Sequence, residues 1–155
     1  MKNNDKTFEQ IQNEMRNRAL EMYEIIHLAF DVKILIRNND LDIFSFMNME
    51  NKWQAYNLAI MLPYLPRKLV IQHLDQLLEQ FMDLNWPGSK ILYGYLAEMD
   101  IITLKSSFNR TINKAIQLND IDWLENLLTF MTDSLVDLQL HFQQEINLIR
   151  DYLDA

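Results

Sequence analysis

Residues 86–100 read Trp86-Pro87-Gly88-Ser89-Lys90-Ile91-Leu92-Tyr93-Gly94-Tyr95-Leu96-Ala97-Glu98-Met99-Asp100. Behind the Trp-Pro step, Ile91, Leu92, Tyr95, Leu96 and Met99 recur at the three-and-four spacing of one helix face. Proline at a first helical position forfeits no hydrogen bond, so Pro87 reads as a helix start rather than a break. A partner helix follows, carrying Ile102, Leu104, Phe108, Ile112, Ala115 and Ile116. The same two-helix unit precedes this one. Trp53 opens a helix running to about Leu62, and Pro66 starts a second with Leu69, Val70, Leu74, Leu77, Leu78 and Phe81. It also follows: Trp123 opens a helix with Leu124, Leu127, Leu128, Phe130 and Met131. The partner of that helix is expected from about Ser134 through Leu135, Leu138, Phe142, Ile146, Ile149 and Leu153. The three tryptophans stand 33 and 37 residues apart, within the range of helical-hairpin repeats.

Upstream, Phe8, Ile11, Met15, Ala19, Met22, Ile26 and Phe30 continue the helical spacing as one stripe. Thr7 and Gln10 have capping-box spacing, which places the helix start near Thr7. The Asn38-Asn39-Asp40 cluster should end this region, with Asp40 capping a short helix over Leu41–Met47. No window supports a strand, and only 2 Gly and 3 Pro argue against a turn-rich β-sandwich. The expectation is a single all-α domain over 1–155. Residues 1–47 form a helical cap, and three stacked antiparallel hairpins occupy about 48–83, 84–118 and 119–155. Each hairpin exposes an apolar face that only a stacked neighbour covers, which is the logic of a solenoid. An irregular bundle with accidental tryptophan spacing is the alternative.

Composition narrows the function. The absence of Cys excludes a disulfide scaffold, a thiol nucleophile and Cys-ligated metal. A formal net charge of −8 argues against nucleic acid, whose affinity comes from neutralising phosphates with Lys and Arg. No secretory signal is read at Met1–Lys6, and no apolar run approaches bilayer-spanning length, so a cytoplasmic protein without a membrane partner is expected.

From Phe81-Met82-Asp83-Leu84-Asn85-Trp86-Pro87-Gly88-Ser89, with Leu62-Pro63 before it and Asn119-Asp120-Ile121-Asp122-Trp123-Leu124 after it, the chain resembles a bacterial family of uncharacterised HEAT-like helical domains. That resemblance covers roughly residues 50–132. It implies a HEAT-like right-handed α-solenoid, here of about seven to nine helices, and no enzymatic activity. Gly88-Ser89 stands where a larger apolar residue followed by a small one is expected. Proteins of this kind occur among immunity proteins that neutralise a toxin of the same bacterium, so the resemblance implies that role too.

Few residues carry chemistry. Trp53, Trp86 and Trp123 read as structural helix-start residues, with Asn85 capping the helix at Pro87. Gly94 reads as the site of a close helix crossing, or less readily of a ligand groove. Glu24 and His27 form a Glu-x-x-His pair, but a di-iron site needs a second pair, which His73 and His141 do not supply. No catalytic, cofactor or metal residues are expected. Asp75, Glu79 and Asp83 share one helix face, read as a solvated face or as part of an anionic strip for a basic partner.

Charge gives the clearest functional signal. Residues 1–118 hold 14 acidic and 13 basic side chains, whereas residues 119–155 hold eight acidic residues against Arg150 alone. A one-sided negative field speeds encounter with a cationic protein. A polar cap on a terminal repeat is the other explanation. The expected function is non-catalytic protein binding, first as an immunity protein that occludes a basic toxin domain through Asp120, Asp122, Glu125, Asp133 and Asp137. The alternatives are a helical-repeat adaptor holding a peptide or protein, and more remotely a helical-bundle metalloprotein at Glu24 and His27. Pairing of two copies as a homo-oligomer stays open.

Overall fold

A computed structural model of the chain describes residues 6–39, 41–46, 51–85 and 88–155. Every regular element among them is helical, and none is a strand. The chain forms two compact units: Met1–Gln72 with Trp86–Ile91, and His73–Asn85 with Leu92–Ala155. The three points where the chain passes between units, after Gln72, Asn85 and Ile91, fall inside the expected 48–83 and 84–118 hairpins. The expected helix starts at Trp86 and Pro87, and the cap at Asp40, lie outside the described residues, as does the side chain of Phe81.

In the first unit, α1 (Phe8–Arg16) opens on the expected capping box. Gln10 N–H donates to Thr7 Oγ1 at 3.2 Å, and Thr7 N–H donates to Gln10 Oε1 at 2.8 Å. The helix buries Ile11 and Met15, then stops. The stripe expected to run on to Phe30 is instead cut at residues 17–21, and the chain restarts as α2 (Met22–Asn38). Asn57 explains the cut. It is fully buried on α3 (Lys52–Met61), and its Nδ2 donates to the carbonyls of Met15 and Arg18, each at 2.9 Å. Its Oδ1 accepts the Leu20 N–H at 3.0 Å. One side chain thus satisfies backbone groups on both sides of the break, groups that burial would otherwise leave costly. Gln54, one turn earlier, donates to Phe46 O and accepts from Arg16 Nε.

The restart shifts the phase of α2. Its buried residues are Ile25, Leu28, Ala29 and Val32, while Met22, Ile26 and Phe30 are exposed. Instead of a short α-helix over Leu41–Met47, the described part of that stretch holds a 3₁₀ turn at Ile43–Phe46. Asp42 supports it: Ser45 N–H donates to Asp42 Oδ1, and Asp42 N–H donates to Ser45 Oγ. Asn51 caps α3 by accepting the Gln54 N–H at 2.9 Å. Trp53 is the second residue of α3 and is partly exposed, with its ring beneath the Lys52 ammonium at 4.8 Å.

The helix expected from Pro66 to Phe81 is also broken. It becomes α4 (Arg67–Ile71) in the first unit and α5 (Leu74–Leu78) in the second, followed by a 3₁₀ turn. Val70 is buried in the one and Leu74, Leu77 and Leu78 in the other. His73 between them has φ −118° and ψ 21°, outside helical values. α6 follows over Ser89–Ala97.

The core of the second unit comes from α7 (Ile101–Gln117), α8 (Ile121–Thr132) and α9 (Gln143–Asp154). Phe108 stacks on Phe130 at 5.5 Å between centroids and meets Phe142 edge-on at 5.1 Å. Trp123, 1% exposed, donates its indole N–H to Leu78 O at 3.1 Å, so this large ring is buried without an orphaned donor. The last helix does not begin near Ser134. Asp133 turns extended (φ −68°, ψ 121°) and accepts the Leu135 N–H, and Asp137 takes a left-handed φ of 54°. Asp tolerates that region better than most residues.

Two glycines separate cleanly. Gly88 has φ +92°, and a Cβ there would meet Ala59 Cβ at 2.9 Å and Ala55 O at 3.2 Å. The small residue that departs from the family pattern is therefore required twice over. Gly94, expected at a close helix crossing, has nothing within 4 Å of where its Cβ would be. Gly88→Ala should lower stability by about 1–3 kcal/mol, and Gly94→Ala should raise it by about 0.5–1 kcal/mol. Asn57→Ala should cost about 1–3 kcal/mol, because it strands the buried Met15 carbonyl and removes the partner of the part-buried Arg18 carbonyl and Leu20 N–H. Urea unfolding of the three variants measures each difference.

Candidate functional site

Charge divides more sharply by unit than by sequence position. The first unit carries nine acidic and ten basic side chains, for +1, and the second carries thirteen acidic and four basic, for −9. Three of those four cations are used internally. Arg110 grips Asp75 through Nε to Oδ2 at 2.8 Å and Nη2 to Oδ1 at 2.9 Å, while Ser107 donates its hydroxyl to the same carboxylate. Lys114 Nζ meets Glu79 Oε1 at 2.6 Å. Lys105 Nζ lies 3.1 Å from Oε1 of the buried Glu145 without hydrogen-bond alignment to it, and donates instead to His141 O at 2.9 Å. Asp75 and Glu79 are therefore partly solvated but not a free anionic strip; they tie α5 and the turn after it to α7. The third member, Asp83, accepts the Asn85 N–H at 2.8 Å, so Asn85 sits in an Asx turn.

The Arg110 guanidinium holds the Asp75 carboxyl below its ordinary range, helped by the Ser107 hydroxyl and opposed by partial burial. Burial pushes the Tyr93 phenol up to about 12, with the Asp133 carboxylate adding to it through charge and a hydrogen bond.

Five of the carboxylates that form no ion pair among the described residues flank the two ends of α8. At its start, α7 ends in a Schellman motif: Asp120 N–H donates to Ala115 O at 2.9 Å, and Asn119 N–H to Ile116 O at 3.0 Å. Asn119 takes the left-handed residue of that motif, φ 52°, and its Oδ1 accepts the Tyr152 hydroxyl of α9. Asp120 then caps α8 by accepting the Trp123 N–H at 3.1 Å. On this fixed corner Asp122 and Glu125 are exposed and form no ion pair among the described residues, beside exposed Leu118 and Ile121. Beyond the other end of α8, exposed Asp137 stands among Leu135, 92% exposed, and Leu140, 85% exposed.

The five carboxylates expected to act together thus form two groups. Asp120, Asp122 and Glu125 lie at the start of α8, and Asp133 and Asp137 lie past its end, about 18 Å along the axis. Asp120 and Asp133 also have local duties, the one as a helix cap and the other as acceptor from Leu135 N–H and partner of Tyr93. The leucines were missed because Leu135 continues a helical stripe on paper. Leu140 and Leu118 did carry a signal: each falls off the stripe of its neighbours. In the first unit, Glu24 binds Arg18 through both oxygens, at 2.9 and 2.7 Å, and accepts the Glu21 N–H, which occupies it as a ligand. It borders a cavity of about 390 Å³ with exposed His27, and Lys6 there pairs with Glu14 and Asp31. Among the described residues no three His, Asp or Glu side chains converge as a metal set, and no helix is long and apolar enough to cross a membrane.

No protein-family model, curated protein or solved structure matches the chain.

Asp75 gives a pH test. Its carboxyl is depressed in the folded state, so its contribution is present above the ordinary carboxylate pKa of about 4 and is lost as pH falls through the depressed value. The gap in unfolding free energy between the wild type and Asp75→Asn should be widest near neutral pH. It should narrow steadily in urea titrations carried below pH 4.

Proposed function

We propose that the chain is a non-catalytic protein-binding domain whose second unit engages a basic partner, in the role of a bacterial immunity protein that occludes a toxin. The carrying observation is the −9 unit in which three of four cations are spent on internal pairs, leaving exposed carboxylates beside exposed leucines. That combination has the parts of a protein interface. Apolar anchors supply burial, and charges set encounter rate and orientation. Asp122 and Glu125 act in steering, while Leu135 and Leu140 act as anchors. Toxins that cut nucleic acid are basic on the face that meets phosphates, so an acidic surface would cover that face. Stacked HEAT-like hairpins and a cytoplasmic location belong to the same proposal, supported by the tryptophan spacing and by the absence of an apolar spanning run in the sequence.

The partner to test is the product of an adjacent gene encoding a secreted toxin, and a gene with no such neighbour counts against immunity. Asp122→Lys with Glu125→Lys should slow association about tenfold or more at low salt and flatten its salt dependence. Leu135→Ser with Leu140→Ser should leave association nearly unchanged and speed dissociation. Stopped-flow association and surface-plasmon dissociation separate the two effects. Wild-type kinetics in both pairs would falsify the assigned face.

A further inference from the structure

The exposed side of α2 has a chemistry opposite to that of the second unit. At 100° per residue, Met22, Lys33, Ile26, Arg37, Phe30 and Tyr23 fall within an arc of about 100°. Met22 is 47% exposed, Ile26 38% and Phe30 55%, against a buried side of Ile25, Leu28, Ala29 and Val32. The carboxylates of the helix, Glu24 and Asp31, fall outside that arc and are held by Arg18 and Lys6. Lys33 lies over the Phe30 ring at 5.1 Å, and neither it nor Arg37 forms an ion pair among the described residues. Both also line a cleft of about 310 Å³ with Ile36, Lys68 and Leu69. The face is therefore about 22 Å long, an apolar stretch of about 12 Å over Met22, Ile26 and Phe30 that runs into a cationic cleft.

We propose that this face docks an acidic amphipathic helix of a partner protein. The partner's apolar residues would lie along Met22, Ile26 and Phe30, and its carboxylates would enter the cleft at Lys33, Arg37 and Lys68. Length and spacing match the helix-in-groove mode, in which anchors recur every turn. Charge selects the occupant. Three cations around an apolar cleft, with no carboxylate in the arc among the described residues, call for anionic groups on the other side. An anionic lipid surface would supply such groups too, but the apolar residues recur once per turn as the anchors of a docked helix do, and lipid binding is an outcome of the test below. A second copy presents the same cations, without an ion pair among the described residues, on the same face. This docking surface is independent of the acidic face of the second unit and stands whether or not that face binds a toxin.

The test uses the full chain and two double variants at exposed positions, Ile26→Asp with Phe30→Asp and Lys33→Glu with Arg37→Glu, each checked for wild-type thermal unfolding. A displayed library of helical peptides is selected on the wild type and counter-selected on both variants. The surviving sequences should carry Leu, Ile or Phe at helical spacing with Asp or Glu toward one end. As free peptides they should lose affinity about tenfold or more in either variant, and again when salt is raised from about 0.05 to 0.5 M. Survivors that are basic, no survivors, or equal affinity for the variants would overturn the proposal. So would wild-type binding to phosphatidylglycerol vesicles that both variants lose, which assigns the face to a membrane. Self-association in sedimentation equilibrium that both variants lose assigns it to a second copy, and overturns the proposal equally.

Discussion

Asn57 decides how the first unit is built. A buried amide costs free energy unless its donors and acceptor are all answered, and here they are answered by Met15 O, Arg18 O and Leu20 N–H. Those groups flank a helix break, where carbonyls lose their helical partners and an amide N–H has not yet gained one. An apolar residue at position 57 would leave the Met15 carbonyl buried and unpaired and the other two without their partner. The break is thus a consequence of one side chain on α3, with Gln54 one turn away doing the same for Phe46 O. Fully paired buried amides of this kind fix one arrangement where an apolar core would tolerate several.

In the second unit the equivalent work is done by ions. Asp75 and Glu79 reach Arg110 and Lys114, one helical turn apart on each side. Partly exposed pairs contribute little each to stability, yet they have a second effect on the surface. They engage Arg110 and Lys114, and Lys105 is engaged by Glu145 and His141 O, so none of the three pairs with the carboxylates flanking α8. The unit is negative because thirteen acids face four bases, and the placement of those bases decides where on it the unpaired carboxylates stand.

Local chemistry was legible in the sequence, and long-range chemistry was not. The Thr7–Gln10 box, the stop at Asn38 and Asn39, and the helical character of every segment follow from spacing and capping within four residues. The break at 17–21 did not, because its cause lies about forty residues downstream and the apolar spacing runs through it without a fault. The pairing of Asp75 with Arg110 across 35 residues was invisible for the same reason. The turn at Asp133 was partly legible: Asp-Ser at 133–134 is a turn initiator, but Leu135 and Leu138 kept helical spacing and outvoted it. The carboxylates of the candidate site were readable as a composition bias, whereas their separation to two ends of α8 and the exposed leucines beside them needed coordinates.

The same break links fold to surface. Along α2 the set Met22, Ile26 and Phe30 and the buried set Ile25, Ala29 and Val32 differ by one residue, about 100° of rotation. Had α1 continued unbroken, the spacing from Phe8 through Met15 would have carried Met22, Ile26 and Phe30 inward. Instead the clamp at Asn57 ends α1, and the chain re-enters the helix in a different phase. A stripe that periodicity assigns to a core is delivered to solvent, next to two cations. Exposing that apolar surface contributes nothing to folding, and it is on this stripe, not on the buried one, that the proposed docking face rests.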